Sequence, residues 1–476
     1  MATPQGKSAL SRVVLAALTL LGCPALSALD PALDLAQYAH TAIGSDVAET
    51  GAVYAIAQTQ DGYLWLGTQL GVFRFDGVRA TPLPLPAGHR LANTQVGVLR
   101  IARDGTLWIG ALDGLWTWKD GRLTEHPDFH GRRVNALLED REGTMWVATA
   151  LGGPNGRLCA VRADRIDCHG DDGSLGGAVN SLYEDGDGSL WVGALTGLWR
   201  WKPGQPTRYL STAITGRQSL APGDDGASVI VATDTLHQIS GGRVTDLALP
   251  GLPSPFYATS LLRDHDRGLW IGTDAHGLVH SYEGKTSAFT HADGLSSDEI
   301  KVLFEDREGT VWVGTGQGFE RFRQLPVTSF SVQQGLSSAN VSSVLAARDG
   351  TLWIGTADGL NRWKDGHATI YRAADHPGMP VGTILALYED ERGRIWLSGY
   401  HGIASFENEK FTAAPATLAG PAGSNFVITG DHHGGLWLSL WFTSNHDGLV
   451  HLQDGRISEE MPAGKLGGGP VTGIVV

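Results

Sequence analysis

A short pattern, Asp-Gly-x-Leu-Trp-x-Gly, recurs along the chain and constrains its fold more than any other feature. Four strong copies centre on Trp65, Trp108, Trp191 and Trp353, and the tryptophans at positions 146, 270, 312, 396 and 437 occupy the same place. Successive tryptophans lie 38 to 45 residues apart, except for one step of 79 that a degenerate copy, Asp225–Thr233, divides. The chain therefore contains ten copies of one structural unit.

Each copy is predicted to form four short strands. Around Trp353 these are Val341–Ala347, Thr351–Thr356, Leu360–Trp363 and Ala368–Arg372, with glycine-containing turns between them. Asp-Gly pairs suit such turns because glycine adopts positive φ without steric cost. Four antiparallel strands per ~40 residues make one blade of a β-propeller. The expected fold class is thus all-β, a β-propeller of four-stranded blades, with the repeated Trp packed between neighbouring blades.

Ten blades exceed the ~4 to 8 that one propeller ring usually holds, so the sequence should contain a break. The seventh copy lacks the Asp-Gly or Glu-Gly hairpin between its third and fourth strands and continues straight to Pro326, which is unfavourable inside a ladder. Two strand-like stretches, Tyr38–Ala42 and Val327–Val332, each precede the first repeat of a ring. Each is expected to supply the missing outer strand of the last blade in its own ring.

This break predicts a seven-bladed β-propeller over residues 33–325 and the first blades of a second, incomplete β-propeller over residues 327–476. The sequence stops inside the first strand of an eleventh unit, Val471–Val476. Open propellers expose strand edges, which natural proteins avoid, so we expect this chain to be cut from a longer protein.

Residues 1–28 have the pattern of a signal peptide. Lys7 and Arg12 precede the apolar run Val13–Leu21, which is too short to span a bilayer. Cleavage near Ala25-Leu26-Ser27 is favoured over a lipobox ending at Cys23, which would be lipidated there. A periplasmic or secreted location is therefore expected.

The two remaining cysteines flank a predicted hairpin. If Ala163 and Asp164 form a two-residue loop, Arg162 pairs with Arg165 and Cys159 lies opposite Cys168. That is a non-hydrogen-bonded pair, whose Cα atoms lie ~4.5 Å apart and within disulfide range. In an oxidising compartment a disulfide is favoured; the alternative is two buried thiols on one strand face.

The repeat, best seen over Val179–Trp201, resembles the two-component regulator propeller repeat, and Leu35–Ala42 with Tyr54–Thr68 is similar to the start of periplasmic sensor regions of bacterial sensor histidine kinases. The resemblance implies two seven-bladed propellers, a small β-sandwich, one transmembrane helix and a cytoplasmic output domain, most often a dimerising histidine kinase. It implies that the longer protein, which we call the parent, lies in the inner membrane. Homodimerisation and kinase activity would then belong to the parent and not to these residues.

The composition narrows the functional classes. The net charge of −14 argues against a nucleic-acid partner, and no P-loop, GxSxG or HExxH pattern is present. Together with the resemblance, this leads us to expect a non-catalytic sensor module, without cofactor, that binds an extracytoplasmic small molecule or saccharide. The alternatives are a secreted propeller enzyme acting on glycans and a protein-interaction scaffold. Membrane attachment would come only from a missing C-terminal helix or from lipidation at Cys23.

Several polar groups are candidate sites. The Glu-Asp pairs recur at one position per blade, the turn after the first strand, and so are expected to shape turns: Glu139-Asp140, Glu184-Asp185, Glu305-Asp306 and Glu389-Asp390. Asp171-Asp172 and Asp224-Asp225 are also expected in turns, and His432, His433, His446 and His451 in solvated loops, with no metal. The long loops Ala150–Arg157 and Trp441–Gly448 lie on the face that commonly binds ligands in propellers. The sequence predicts no individual ligand-contacting residue.

The disulfide can be checked directly. Thiol titration of the denatured mature protein should find no free thiol from Cys159 or Cys168 before reduction and two after it. Two free thiols before reduction would contradict the pairing.

Overall fold

The computed structural model consists of ten four-stranded antiparallel sheets, as the ten repeats predict. It describes residues 29–43, 51–85, 89, 91, 94–150, 155–226, 228–250, 257–325, 330–364, 367–399, 402–414, 427–440, 448–453, 456–466, 471 and 474. The chain divides into two units, Met1–Thr328 and Ser329–Val476. The signal peptide and Cys23 lie outside the described residues.

The first unit holds seven blades. Blades one to three comprise β2 Val53–Gln58, β3 Leu64–Thr68, β4 Gly71–Phe75, β5 Ala80–Pro82; β6 Val96–Ile101, β7 Leu107–Ala111, β8 Gly114–Lys119, β9 Arg122–Glu125; β10 Arg133–Glu139, β11 Met145–Ala150, β12 Leu158–Val161, β13 Ile166–His169. Blades four to six comprise β14 Val179–Glu184, β15 Leu190–Ala194, β16 Gly197–Lys202, β17 Thr207–Leu210; β18 Leu220–Pro222, β19 Val229–Ala232, β20 Leu236–Ser240, β21 Arg243–Asp246; β22 Ala258–Arg263, β23 Leu269–Thr273, β24 Leu278–Tyr282, β25 Lys285–Phe289. Blade seven comprises β26 Ile300–Glu305, β27 Val311–Thr315, β28 Gly318–Arg323 and β1 Ala39–Ile43. Short 3₁₀ helices form at Leu35–Gln37, Pro127–Phe129 and His291–Asp293.

The seven blades form a closed ring. The first strands of successive blades pack against one another in order, and β26 of blade seven packs against β2 of blade one. The N-terminal strand β1 pairs with β28 from Ala39↔Arg323 to Ile43↔Phe319 and supplies the fourth strand of blade seven. This is the closing strand that the missing hairpin of the seventh repeat predicts.

Each blade is buried on both faces of its second strand. All five residues of β3, β15, β23 and β27 are buried. The repeated glycine of this strand faces the first strand of the next blade, so a Cβ on Gly67 would lie 2.9 Å from Val96 Cγ1. At the ring closure, a Cβ on Gly314 would lie 2.6 Å from the Val53 carbonyl oxygen. At these two interfaces the glycine is therefore required for close approach between blades.

The repeated tryptophan packs into the following blade, which confirms the expectation from the sequence. Trp191 of blade four contacts a cluster with Ile214 and Leu220 of blade five, and Trp312 of blade seven lies in a cluster with Val53 and Ile56 of blade one. Burying one large aromatic side chain in this way contributes on the order of 2–3 kcal/mol per blade.

The Asp of each Glu-Asp pair forms what we call the turn clamp. In blade three, Asp140 Oδ1 accepts the main-chain N–H groups of Glu142 at 3.0 Å and Thr144 at 2.9 Å, while Oδ2 accepts the Trp146 indole N–H at 2.8 Å. The same indole bond is 2.7 Å in blade four, 2.6 Å in blade seven and 3.0 Å in blade nine. In blade six, where arginine precedes the aspartate, Asp264 makes it at 2.7 Å. One carboxylate thus orders the turn and fixes the tryptophan, which confirms the turn-shaping role predicted for these pairs.

The Glu of each pair binds the preceding blade. Glu139 Oε2 accepts the Arg103 N–H at 2.8 Å, and Glu184 Oε2 accepts the Arg141 N–H at 2.9 Å. The Arg103 guanidinium returns a bond of 2.7 Å to the Asp140 carbonyl. At the ring closure, blade one has Gln58 in place of Glu, and its Oε1 accepts the main-chain N–H of Arg307 at 3.0 Å. These bonds join neighbouring blades along one rim.

The closing strand is held by a buried pair. His40 Nε2 lies 2.5 Å from Glu320 Oε2, and the other oxygen of this fully buried carboxylate accepts the Ser296 N–H at 2.7 Å and the Ser296 hydroxyl at 2.6 Å. A buried carboxylate left unpaired is costly. The contact with His40 therefore stabilises the state in which β1 is paired in blade seven over the state in which it is detached.

The second unit holds three blades: β29 Val341–Ala346, β30 Leu352–Thr356, β31 Gly359–Lys364, β32 His367–Tyr371; β33 Ile384–Glu389, β34 Ile395–Gly399, β35 Gly402–Glu407, β36 Lys410–Ala413; β37 Ile428–Gly430, β38 Leu436–Leu440, β39 Gly448–Gln453, β40 Arg456–Pro462. The four strands around Trp353 match the predicted ones to within about one residue. Short 3₁₀ helices occupy Val332–Gln334 and Ala463–Lys465. Val332, expected at the end of a strand over 327–332, thus begins a helical turn, and residues 326–329 lie outside the described residues.

The first strand of this unit differs in burial from its counterparts. Val341 and Val344 are 45% and 60% exposed, whereas the matching residues Val53 and Ile56 of blade one are 0% and 6% exposed. The sequence pattern of β29 is that of a strand covered by a neighbouring blade.

The turn clamp gives a stability prediction. Asp185→Ala removes the acceptor of three donors, namely the partly buried N–H of Asp187 and the buried Ser189 N–H and Trp191 indole N–H. The free energy of unfolding should fall by about 2–4 kcal/mol, measured by urea denaturation of the whole chain. The exposed neighbour is the control, and Asp187→Ala should change stability little. Equal midpoints for both variants would contradict the clamp.

A buried histidine gives a pH prediction. His280 is 2% exposed between Trp270 and Tyr38, and burial, assisted by the positive charge of Arg263, lowers its pKa to about 4. The unfolded chain binds this proton near pH 6.5 and the folded chain does not, so stability is lost as the pH falls from about 6.5 toward 4.

His280→Phe removes that loss. The stability difference between the variant and the natural protein should therefore move in the variant's favour on going from pH 7.5 to pH 5, by up to about 1.4 kcal/mol per pH unit below 6.5. Urea midpoints of both proteins at the two pH values measure it. A difference independent of pH would show that His280 does not stay neutral in the folded state.

Candidate functional site

The candidate site begins with a β-bulge in the first strand of the blades. Its register to the second strand skips one residue in blades one, two, three, four, six and seven. A bulge gives the extra residue a separate orientation and occurs often beside functional sites. The extra residues are Tyr54, Gly97, Asn135, Asn180, Thr259 and Lys301.

A cavity of about 690 Å³ occupies the centre of the first unit, between the first strands of its blades. Its volume falls within the ~300–1,000 Å³ range of small-ligand pockets. Four of the bulge residues line it, namely Tyr54, Gly97, Asn135 and Lys301. We call the part of this cavity beside them the channel mouth.

Blade five departs from the others at this place. Its first strand is short, Leu220–Pro222, and the preceding residues Arg217 and Gln218 line the cavity. Gln218 is fixed by its main chain, whose carbonyl accepts the Leu261 N–H at 2.7 Å, and by its side-chain Oε1, which accepts the Leu303 N–H at 3.2 Å. The degenerate repeat thus supplies long polar side chains to the channel mouth.

Arg217 reaches across the ring. Its Nη1 donates to the Gly97 carbonyl of blade two at 3.2 Å. A Cβ on Gly97 would overlap the guanidinium, so the glycine makes room for this contact. The guanidinium carbon also lies 6.0 Å from the centroid of the Tyr54 ring, at the limit of a cation–π contact.

Lys301 approaches the same aromatic ring, with Nζ 5.7 Å from the Tyr54 centroid. Its ammonium pairs with the Glu299 carboxylate, so its charge is largely compensated. No carboxylate of the described residues forms such a pair with Arg217. Arg217 therefore carries the uncompensated positive charge at the channel mouth.

The remaining bulge residues bind neighbouring blades. Asn135 Nδ2 donates to Asn180 Oδ1 at 2.7 Å, and Asn180 Nδ2 donates to the Ile214 carbonyl at 2.7 Å. Thr259 donates to the Ile300 carbonyl at 2.7 Å. These bonds hold the ring of first strands rigid around the cavity.

The acidic groups at the other end of the cavity are committed to structure. Glu139, Glu184 and Glu305 line it, but each accepts a main-chain N–H from the preceding blade. Burial raises the pKa of Tyr183, another lining residue, to about 12. This phenol stays protonated at neutral pH.

Cys159 and Cys168 are register partners in β12 and β13, with Cα atoms 4.0 Å apart, and a disulfide joins them. Asp171 pairs with Arg157, and Asp172 accepts the Ser174 N–H at 3.0 Å in the expected turn. Asp225 likewise accepts the Ser228 N–H at 2.7 Å.

The histidines near the C-terminus divide between a strand and the surface. His451 lies in β39 and bridges Asp431 at 2.8 Å and Ser458 at 2.6 Å, so the solvated loop expected for it is wrong. The strand pairing of β39 with β38 and β40 places it there. His432 is exposed. Most of the two long loops lies outside the described residues, namely residues 151–154 and residues 441–447, which include His446. Within the described ranges, no group of three or more His, Cys, Asp and Glu side chains could hold a metal ion, and no helix there has the length and hydropathy of a membrane span.

Sequence reasoning missed the channel mouth. Tyr54, Gly97 and Lys301 stand at ordinary strand positions, and nothing in their local pattern marks them. The one available signal was the degenerate fifth repeat, because a blade that loses its pattern is free to carry other residues.

Fold and repeat together define the chain as a β-propeller protein of four-stranded blades. The family model of the two-component regulator propeller matches six segments, at residues 49–69, 128–150, 173–195, 294–317, 335–358 and 378–401. These six segments thus match the repeat that the sequence resembles.

Solved structures with the same fold include extracellular domains of two hybrid two-component systems of B. thetaiotaomicron. The first has a TM-score of 0.64 at 18% identity, covering 89% of this chain and 60% of that chain. The second has a TM-score of 0.51 at 21% identity, covering 87% of this chain and 58% of that chain. The chain thus spans less than two thirds of the length of either. No curated protein matches the sequence.

Proposed function

We propose that this chain is the extracytoplasmic sensor module of a two-component signal transduction protein and that it binds a small molecule in the cavity of its first propeller. The observation that carries the proposal is the channel mouth, where polar side chains from several blades converge on a cavity of about 690 Å³. A closed ring with interlocked blades is a rigid scaffold, and rigid scaffolds position binding groups well.

The relatives support the same role. The structures of like fold are described as extracellular domains of hybrid two-component systems, and the repeat family carries the regulator name. We infer a periplasmic or secreted location from the N-terminal leader pattern. We propose that the longer protein carries a histidine kinase beyond a transmembrane helix and that this output domain transmits the binding event.

The exposure of two apolar residues in the second unit supports the proposal that the chain belongs to a longer protein. Val341 and Val344 of β29 are exposed apolar residues at positions that are buried in the closed ring. A further blade packed against β29 would cover them, as the blades of the first unit cover one another.

Ligand binding can be measured on the full chain by thermal shift. A screen of extracytoplasmic metabolites, including neutral and acidic saccharides, should yield a compound that raises the melting temperature in a saturable manner. At a hundredfold excess over Kd the gain in stability should be about 2.7 kcal/mol. Chromatography of the compound after long incubation should recover it unchanged.

Three outcomes separate the functional classes. A saturable shift without turnover supports the sensor. Cleavage of a glycan during incubation would show instead that the protein is a propeller enzyme acting on glycans. Capture of one defined partner protein, combined with no shift from any small molecule, would replace it by the interaction scaffold.

A further inference from the structure

The charge at the channel mouth is opposite in sign to that of the whole protein. The chain carries 50 acidic and 36 basic residues, yet the charged groups that converge here are Arg217 and the Lys301–Glu299 pair, which leaves one net positive charge beside the neutral Tyr54. Arg133, which begins the bulged strand β10, lies close enough to Tyr54 for the phenol to influence its pKa. A local field of this sign attracts anions.

Arg217 has unused binding capacity. A guanidinium has five N–H donors, and in the described part of the chain a single hydrogen bond, to the Gly97 carbonyl, engages them. The side chain is only partly buried and lines the cavity. Its remaining donors therefore face space that a ligand can enter.

The geometry of the guanidinium selects among anions. Its planar fork matches the two oxygens of a carboxylate or sulfate group in a bidentate manner. The Tyr54 ring lies beside it, 6.0 Å from the guanidinium carbon, and adds aromatic surface of the kind that packs against a sugar ring. A cavity of about 690 Å³ holds a molecule of mono- or disaccharide size.

We infer that the channel mouth of the first propeller binds an acidic saccharide, with the carboxylate or sulfate group of the sugar paired to Arg217. Lys301, which lies near the same Tyr54 ring and pairs with Glu299, adds a second cation at this place. The inference deepens the proposed sensor function and rests on it.

Gly97 contributes to the site because its lack of a side chain leaves space for the Arg217 guanidinium. A methyl group at this position would overlap the guanidinium and push it off the Gly97 carbonyl without removing its charge. Gly97→Ala therefore tests the position of Arg217, whereas Arg217→Gln tests its charge.

Isothermal titration of the full chain compares sugars that differ in one group: glucuronate, glucose 6-sulfate, uronate- and sulfate-bearing disaccharides, and their neutral counterparts. The acidic members should bind, and the neutral sugars should bind at least about tenfold more weakly. Affinity should fall with added NaCl because the contact is ionic. The uronate and sulfate series show which anion is preferred.

The variants locate the site. Arg217→Gln should weaken acidic-sugar binding about tenfold to a hundredfold, and Arg217→Lys and Gly97→Ala should fall between it and the natural protein. Arg243→Gln makes the same charge change on the exposed outer strand of the same blade and should leave binding unchanged. If Arg217→Gln does not fold, as judged by its melting curve without ligand, the Arg217→Lys and Gly97→Ala results decide.

Two results overturn the inference. In one, acidic and neutral sugars bind equally or not at all; in the other, the Arg217 variants bind acidic sugars as well as Arg243→Gln does. If a neutral ligand from the broader screen binds and no acidic sugar does, this inference fails and the sensor proposal stands. If no compound of either set binds, both fail.

Discussion

A blade of this protein is apolar on both faces of its second strand, and that constraint governs the rest of the structure. Such a sheet can be buried only between two others. The repeated glycine brings the next blade within contact distance, as Gly67 does for Val96, and the repeated tryptophan fills the space between them. In the first unit each blade therefore depends on its successor, and the last depends on the first.

The polar groups of the rim follow from the same dependence. A turn that joins two strands of one blade must also meet the turn of the next, and its main-chain N–H groups need acceptors. Asp140 satisfies its own turn and the Trp146 indole, while Glu139 satisfies the preceding turn. In sequence, a Glu-Asp pair looks like a candidate for acid–base catalysis. In the structure, both carboxylates are hydrogen-bond acceptors that order the turns and join neighbouring blades.

Much of the architecture was predictable because propeller blades are local in sequence. The spacing of Trp65, Trp108 and their counterparts, together with the turns of each unit, predicts strands, blades and the closing role of residues 38–42. The tryptophan packing could also be anticipated, since a large aromatic at a fixed blade position has few other places to go. The histidine at position 451 was misjudged because its strand, β39, follows an unusually long loop.

The site was not predictable in the same way. Arg217 lies on blade five and Gly97 on blade two, 120 residues away. Their contact exists because the ring closes, and no repeat pattern encodes which side chain crosses its centre. The bulge that presents Tyr54 and Lys301 is likewise a feature of strand pairing, so it becomes visible only when the pairing partner is known.

The sequence by itself thus determined the blade, the number of its copies and the family of the repeat, since these depend on residues within ~40 positions of one another. Only the tertiary structure decided which residues face the central cavity and that an arginine stands there without a carboxylate partner among the described residues. The physical reason is that blade formation depends on contacts between neighbouring strands. The character of the channel depends on groups that closure of the ring brings together from distant parts of the chain.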